Sequence, residues 1–76
     1  MNKERRSRIK SLLLDLEEIK SGIEEIRDEE EESIGSLEEY FPESPQIERM
    51  EEIRDLLDSV YDSLDSATME IEEVVE

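Results

Sequence analysis

The sequence predicts an all-α protein: an antiparallel two-helix hairpin of coiled-coil type, expected to pair with a second copy into a four-helix bundle. Three observations predict it. Apolar residues recur at alternating intervals of three and four along two segments. They are Ile9, Leu12, Leu16, Ile19, Ile23 and Ile26, then Met50, Ile53, Leu57, Val60, Leu64, Ala67, Ile71 and Val74. That spacing holds one apolar seam along a helix. Between the segments, Phe41-Pro42-Glu43-Ser44-Pro45 carries two prolines, which remove backbone donors and push the preceding residues out of helical geometry. The rest is rich in Glu, Leu, Arg and Lys, all good helix formers.

The first helix is expected over residues 3–40. Its seam is interrupted after Ile26, where the next positions are Glu30 and Ser33, in and just after the acidic run Asp28 to Glu32. Gly35 adds a penalty of about 1 kcal/mol relative to Ala. Residues 28–36 are therefore the weak stretch of a continuous helix. The turn covers residues 41–45. Ser44 followed by Pro45 is a helix-start signal, a hydroxyl cap and then a proline at the first helical position, so the second helix is expected over 45–75. A connection this short makes the helices antiparallel neighbours. With the turn centred on Glu43, residue n lies beside residue 86 − n, to within a turn. Ile26 then meets Val60, Ile23 meets Leu64, Ile19 meets Ala67, Ser33 meets Ile53, and Glu30 falls near Arg54.

At 76 residues the chain is read as one domain, and chains of this size leave a small core and marginal stability. There is no Cys, hence no disulfide framework, and association is the remaining means of stabilisation. Leu13, Leu14, Leu56, Tyr61, Met69 and Val75 lie outside the strict seam. A face wider than two helices use between themselves calls for a partner. Leu13, Leu56 and Tyr61 are the expected oligomer interface, and a homodimer the expected state. The basic stretch up to Lys10 is followed by no signal-type apolar run, and no segment reaches the roughly 20 apolar residues of a membrane span. A soluble protein of the cytoplasm, with no membrane partner, is expected.

The charge is one-sided. The formal net charge is -16, and from Ser11 onward 24 acids face four bases, Lys20, Arg27, Arg49 and Arg54. In the heptad frame of the second helix, Glu51, Asp58, Asp65 and Glu72 share one position and Asp55, Asp62 and Glu76 another. The first helix repeats this with Glu17, Glu24, Glu31 and with Glu18, Glu25, Glu32. Carboxylates at such intervals form rows spaced about 5–6 Å along a helix, roughly the spacing of phosphates along a nucleic-acid strand. A solvated surface alone explains outward charge, but it works with both signs and without the self-repulsion of a large net charge. A basic protein partner explains the sign. The expected contacts are Asp55, Asp58, Asp62 and Asp65, followed by Glu17, Glu24, Glu25 and Glu31. The basic cluster Lys3, Arg5, Arg6, Arg8 and Lys10 is expected to neutralise Glu70, Glu72, Glu73 and Glu76 across the hairpin. Direct nucleic-acid binding is disfavoured, because counterion release needs cations facing phosphate.

Catalysis has no candidates here. The chain lacks His, Cys and Trp, has no Gly-rich phosphate loop, and places no Ser beside an evident base. Asp28 to Glu32 lacks the loop pattern of calcium sites. No catalytic residue, metal or cofactor is expected.

The stretch Arg27-Asp28-Glu29-Glu30-Glu31-Glu32, followed by Pro42-Glu43-Ser44 and then Gln46, Glu48, Arg49, Met50 and Glu51, resembles small acidic helical proteins of bacteriophages and other bacterial mobile elements. Pro45 departs from the usual turn of that group. The resemblance implies a mobile-element origin and a bacterial host, and no particular activity. Such proteins are often inhibitors of host nucleases or DNA-binding regulators that take the place of nucleic acid, an analogy of class. The expected function is therefore a non-enzymatic inhibitor that binds the nucleic-acid-binding surface of a nuclease or DNA-binding protein by charge mimicry. The alternative is a structural or adaptor module that binds partner helices through its surplus apolar strip.

Overall fold

The computed structural model describes Met1–Glu76 as two helices and a turn. Helix α1 spans Lys3–Tyr40 and helix α2 spans Gln46–Val75. They pack antiparallel into a rod of 58 × 14 × 13 Å, about the length of a straight 38-residue helix at 1.5 Å per residue. No helix is long and apolar enough to cross a membrane.

Each end has an identifiable cause. The Asn2 side chain accepts from the Arg5 N–H at 2.8 Å, satisfying one of the free donors of the first turn. At the other end of α1 the Phe41 N–H donates to the Leu37 carbonyl at 2.7 Å, and Pro42 forbids continuation. Ser44 starts α2 as expected: its hydroxyl accepts from the Gln46 N–H at 3.3 Å. The helix proper counts from Gln46, one residue after the expected Pro45, within the usual latitude of a boundary. Helix α1 is unbroken through residues 28–36.

The seam differs from the one the apolar spacing suggested. On α1 the partly or fully buried residues are Arg6, Ile9, Leu13, Leu16, Lys20, Ile23, Arg27, Glu30, Ile34 and Leu37, with Gly22 beside them. On α2 the same repeat runs Ile47, Met50, Arg54, Leu57, Tyr61, Leu64, Thr68, Ile71 and Val75. These are unbroken heptad a and d rows. Ile9, Leu16 and Ile23, and Met50, Leu57, Leu64 and Ile71, belong to the seam as expected. Leu12, Ile19 and Ile26 do not: they are 61%, 54% and 53% exposed. They form a neighbouring row, heptad position g, as do Ile53, Val60, Ala67 and Val74 on α2. Two repeats of three and four therefore share the d row, and the purely apolar one is the wrong one. The correct one admits Lys20, Arg27 and Arg54, whose aliphatic stems can lie along the seam while the charged heads reach out of it. Of the expected interruption, Glu30 keeps its place in the seam, half-buried on the d row, and Ser33 leaves it. Ile34 and Leu37 continue the repeat of Leu13 and Leu16, and Ser33 is exposed on the g row.

The register agrees with expectation to within one residue. Lys20 pairs with Asp65, Arg27 with Asp58, and Arg54 with Glu31; each pair of numbers adds to 85 where 86 was anticipated. Arg54 therefore takes Glu31 and not Glu30. Only Ile34 at 3%, Thr68 at 3% and Lys20 at 8% exposure are buried. Thr68 satisfies its hydroxyl within the helix, donating to the Leu64 carbonyl at 2.8 Å.

Candidate interaction faces

The shared d row divides the rod lengthwise into unlike sides. On one side run the heptad e rows, which beyond Lys3 and Lys10 are all acidic: Glu17, Glu24, Glu31 and Glu38 on α1 and Glu51, Asp58, Asp65 and Glu72 on α2. Two acidic rows facing each other across a seam would repel. Three seam cations interleave them. Lys20 Nζ stands 2.7 Å from Asp65 Oδ1 and 3.7 Å from Glu17 Oε2, bridging the two helices. Arg27 Nε is 2.7 Å from Asp58 Oδ1, and its Nη1 is 3.2 Å from Asp28. Arg54 Nη1 is 3.1 Å from Glu31, and its Nε is 3.2 Å from Asp55.

These contacts perturb the cations. The Lys20 ammonium is held above the ordinary lysine pKa, first by its hydrogen bond to Asp65, against the opposing effect of burial, with further support from the charges of Asp65 and Glu17. Arg27 is raised by hydrogen bonds to Asp58 and then Asp28, and Arg54 by hydrogen bonds to Glu31 and then Asp55. The Lys20 head also sits 5.4 Å from the Tyr61 ring centroid, within cation–π range.

Five of the eight carboxylates expected to contact a partner thus serve the hairpin itself: Asp55, Asp58, Asp65, Glu17 and Glu31. Glu24, Glu25 and Asp62 have no ion-pair partner and are exposed. Leu13 and Tyr61, expected at an oligomer interface, are half-buried in the hairpin seam instead. Leu56 is 58% exposed. Lys20 and Arg27 were missed as seam residues, although the row Leu13, Lys20, Arg27, Ile34 at intervals of seven could have signalled them.

On the opposite side run the two g rows. Leu12, Ile19 and Ile26, with Val60 and Val74 at 43% and 49% exposure, make an apolar strip that neither helix covers; Ile53 and Ala67 lie along it, half-buried. At the amino-terminal end, Lys3, Arg5, Arg6, Arg8 and Lys10 form no ion pair. The expected neutralisation by the acidic end of α2 is not made. Arg6, at a seam position, leaves its Nε buried without a partner. No group of three or more His, Cys, Asp or Glu side chains is arranged to hold a metal ion. Comparisons with models of known families, with curated proteins and with solved structures find no match.

Proposed function

We propose that the protein is a non-catalytic binding protein that lays its carboxylate rows on the basic, nucleic-acid-binding surface of another protein and so occupies the place of DNA or RNA. One observation carries the reading. Every cation beyond residue 10 is held in an internal ion pair, whereas seven of the 25 carboxylates are so held and the other 18 are not. The internal pairs fix the rod; the remaining charge is of one sign and unanswered. A surface kept charged for solubility alone gains nothing from that excess and bears its self-repulsion. Glu24, Glu25 and Asp62 are the free members of the contact set, and the paired acids beside them act as rigid supports. The resemblance of the turn region to proteins of bacteriophages supports an inhibitor acting in a bacterial cytoplasm, on a nuclease or DNA-binding protein.

The test is capture of basic proteins from a bacterial lysate on the immobilised protein. Retention should fall steeply as salt is raised, duplex DNA or RNA should displace the captured protein, and reversing Glu24, Glu25 and Asp62 to Lys should abolish retention. Capture that resists salt and those reversals would overturn the reading. The exposure of Leu56 and of the g rows supports a second reading, an adaptor for partner helices. Polar substitution of Leu56 and Val60 would then abolish capture while charge reversal spared it.

A further inference from the structure

The apolar g rows are the feature that the charge-docking reading leaves unused, and we infer that they are covered by a second copy of this chain, packed antiparallel to the first. The pattern is that of a bundle. Helices that meet only one neighbour need apolar residues at a and d, whereas core-facing helices of a four-helix bundle add e or g. Both helices here add g, and the antiparallel hairpin puts both g rows on the same side. The hairpin exposes 5929 Å², against roughly 4,850 Å² for a typical folded monomer of 9.0 kDa. The excess, about 1,100 Å², exceeds one partner's share of a stable interface, about 800 Å². Part of it belongs to any rod, but here it coincides with a continuous apolar side.

Charge decides the direction. The apolar row of α1 runs from Leu12 to Ile26 with Ile19 at its middle. The row of α2, Ile53 to Val74, is centred near Leu64, which the hairpin register places about two residues further along. A two-fold axis through Ile19 brings residue n of one copy level with residue 38 − n of the other. Arg5 on the g row and Arg8 at the c position beside it then lie within one residue of the levels of Glu32 and Glu29. The part of the unpaired basic cluster on this side meets two acids of the run Asp28 to Glu32, twice, once at each end. Parallel packing would set basic end on basic end and acidic run on acidic run. The antiparallel dimer also turns the acidic e sides outward, away from each other, where they stay available to a partner.

The absence of cysteine makes introduced thiols clean reporters of direction. Arg5 and Ser33 lie on the g row outside the apolar stretch and are level with each other under the two-fold. Mixed Arg5→Cys and Ser33→Cys chains should form the cross-linked heterodimer, with little self-coupling of either. The unsubstituted chain should sediment at twice its 9.0 kDa mass, and Ile19→Glu should return it to one chain. Reversing Arg5 and Arg8 to Glu should weaken the dimer roughly tenfold or more, and adding Glu29→Lys and Glu32→Lys should restore it. A mass of one chain throughout, a mass of three or more, or self-coupling of Arg5→Cys would overturn the inference. Should Ile19→Glu unfold the chain, the thiol pair still decides, because neither of its substitutions removes an apolar contact. The salt dependence of partner capture is read separately, so failure of either idea leaves the other standing.

Discussion

Lys20 and Asp65, 45 residues apart in the chain, meet across the hairpin at 2.7 Å. The contact settles which faces of the helices meet. A lysine at a seam position is costly unless its ammonium finds a partner at the edge; here the e rows supply one from each helix, Asp65 and Glu17. Arg27 and Arg54 repeat the arrangement further along. The polar seam therefore depends on the acidic rows, and the rows are held in line by the seam.

That dependence gives a pH signature. The Lys20 pKa is raised by folding, so the unfolded chain gives up the proton first. Its contribution is complete below the unfolded lysine value of about 10.4 and is lost as pH rises through the higher folded value. Unfolding by urea, followed by circular dichroism from neutral pH to beyond that value, should show a fall in stability that is smaller in Lys20→Met. Equal slopes would show that the pair adds nothing.

Ile34 and Ile26 offer a test of the seam itself. Ile34 is 3% exposed and Ile26 is 53% exposed. Truncating Ile34 to Ala should cost about 2–5 kcal/mol, enough to unfold much of a chain this small. Truncating Ile26 should cost within about 0.5 kcal/mol at dilutions where the chain is a monomer, and should matter only where two copies meet. Thermal melts across a range of concentrations check both. A large loss for Ile26→Ala at the lowest concentration would restore the purely apolar repeat as the hairpin seam.

How far the sequence was legible follows from these same residues. The d rows, the turn at Phe41 to Pro45, the antiparallel direction and the register to one residue all follow from local rules of spacing and proline. The choice between a and g as the second seam row did not, because apolar content points to Leu12, Ile19 and Ile26. What decided it was pairing at long range: Lys20, Arg27 and Arg54 reach the carboxylates of the opposite helix from the a row. The error carried into the candidate contacts, since Asp58 and Asp65 look outward until the seam cations are placed beside them.

Gly22 and Gly35 lie inside α1 with nothing within 4 Å of an added Cβ. Each lowers helix propensity by about 0.8–1.0 kcal/mol relative to Ala, with no close packing to explain it. Gly22→Ala and Gly35→Ala should each stabilise by about that amount, raising the melting temperature by roughly 4–8 °C per kcal/mol. Both lie off the g row, so the sedimented mass should not change. A lowered melting temperature for either would mean that α1 must bend there when it associates.

The seam cations are expected to fix the arrangement of chains rather than to stabilise the hairpin. Replacing buried ion pairs by apolar residues of similar size is often neutral or stabilising, whereas a polar residue at an a position commonly fixes register and number of chains at a cost in stability. Lys20→Leu with Arg27→Leu joins the a row to the d and g rows and frees Asp65 and Asp58, which are already about half exposed. The melting temperature should hold or rise. The helices, now apolar over a wider arc, should lose their single arrangement, and sedimentation should resolve species larger than the unsubstituted protein's. If the double variant keeps the same mass and the same Arg5–Ser33 thiol coupling, the cations do not specify the assembly, and their role is confined to relieving repulsion between the acidic rows.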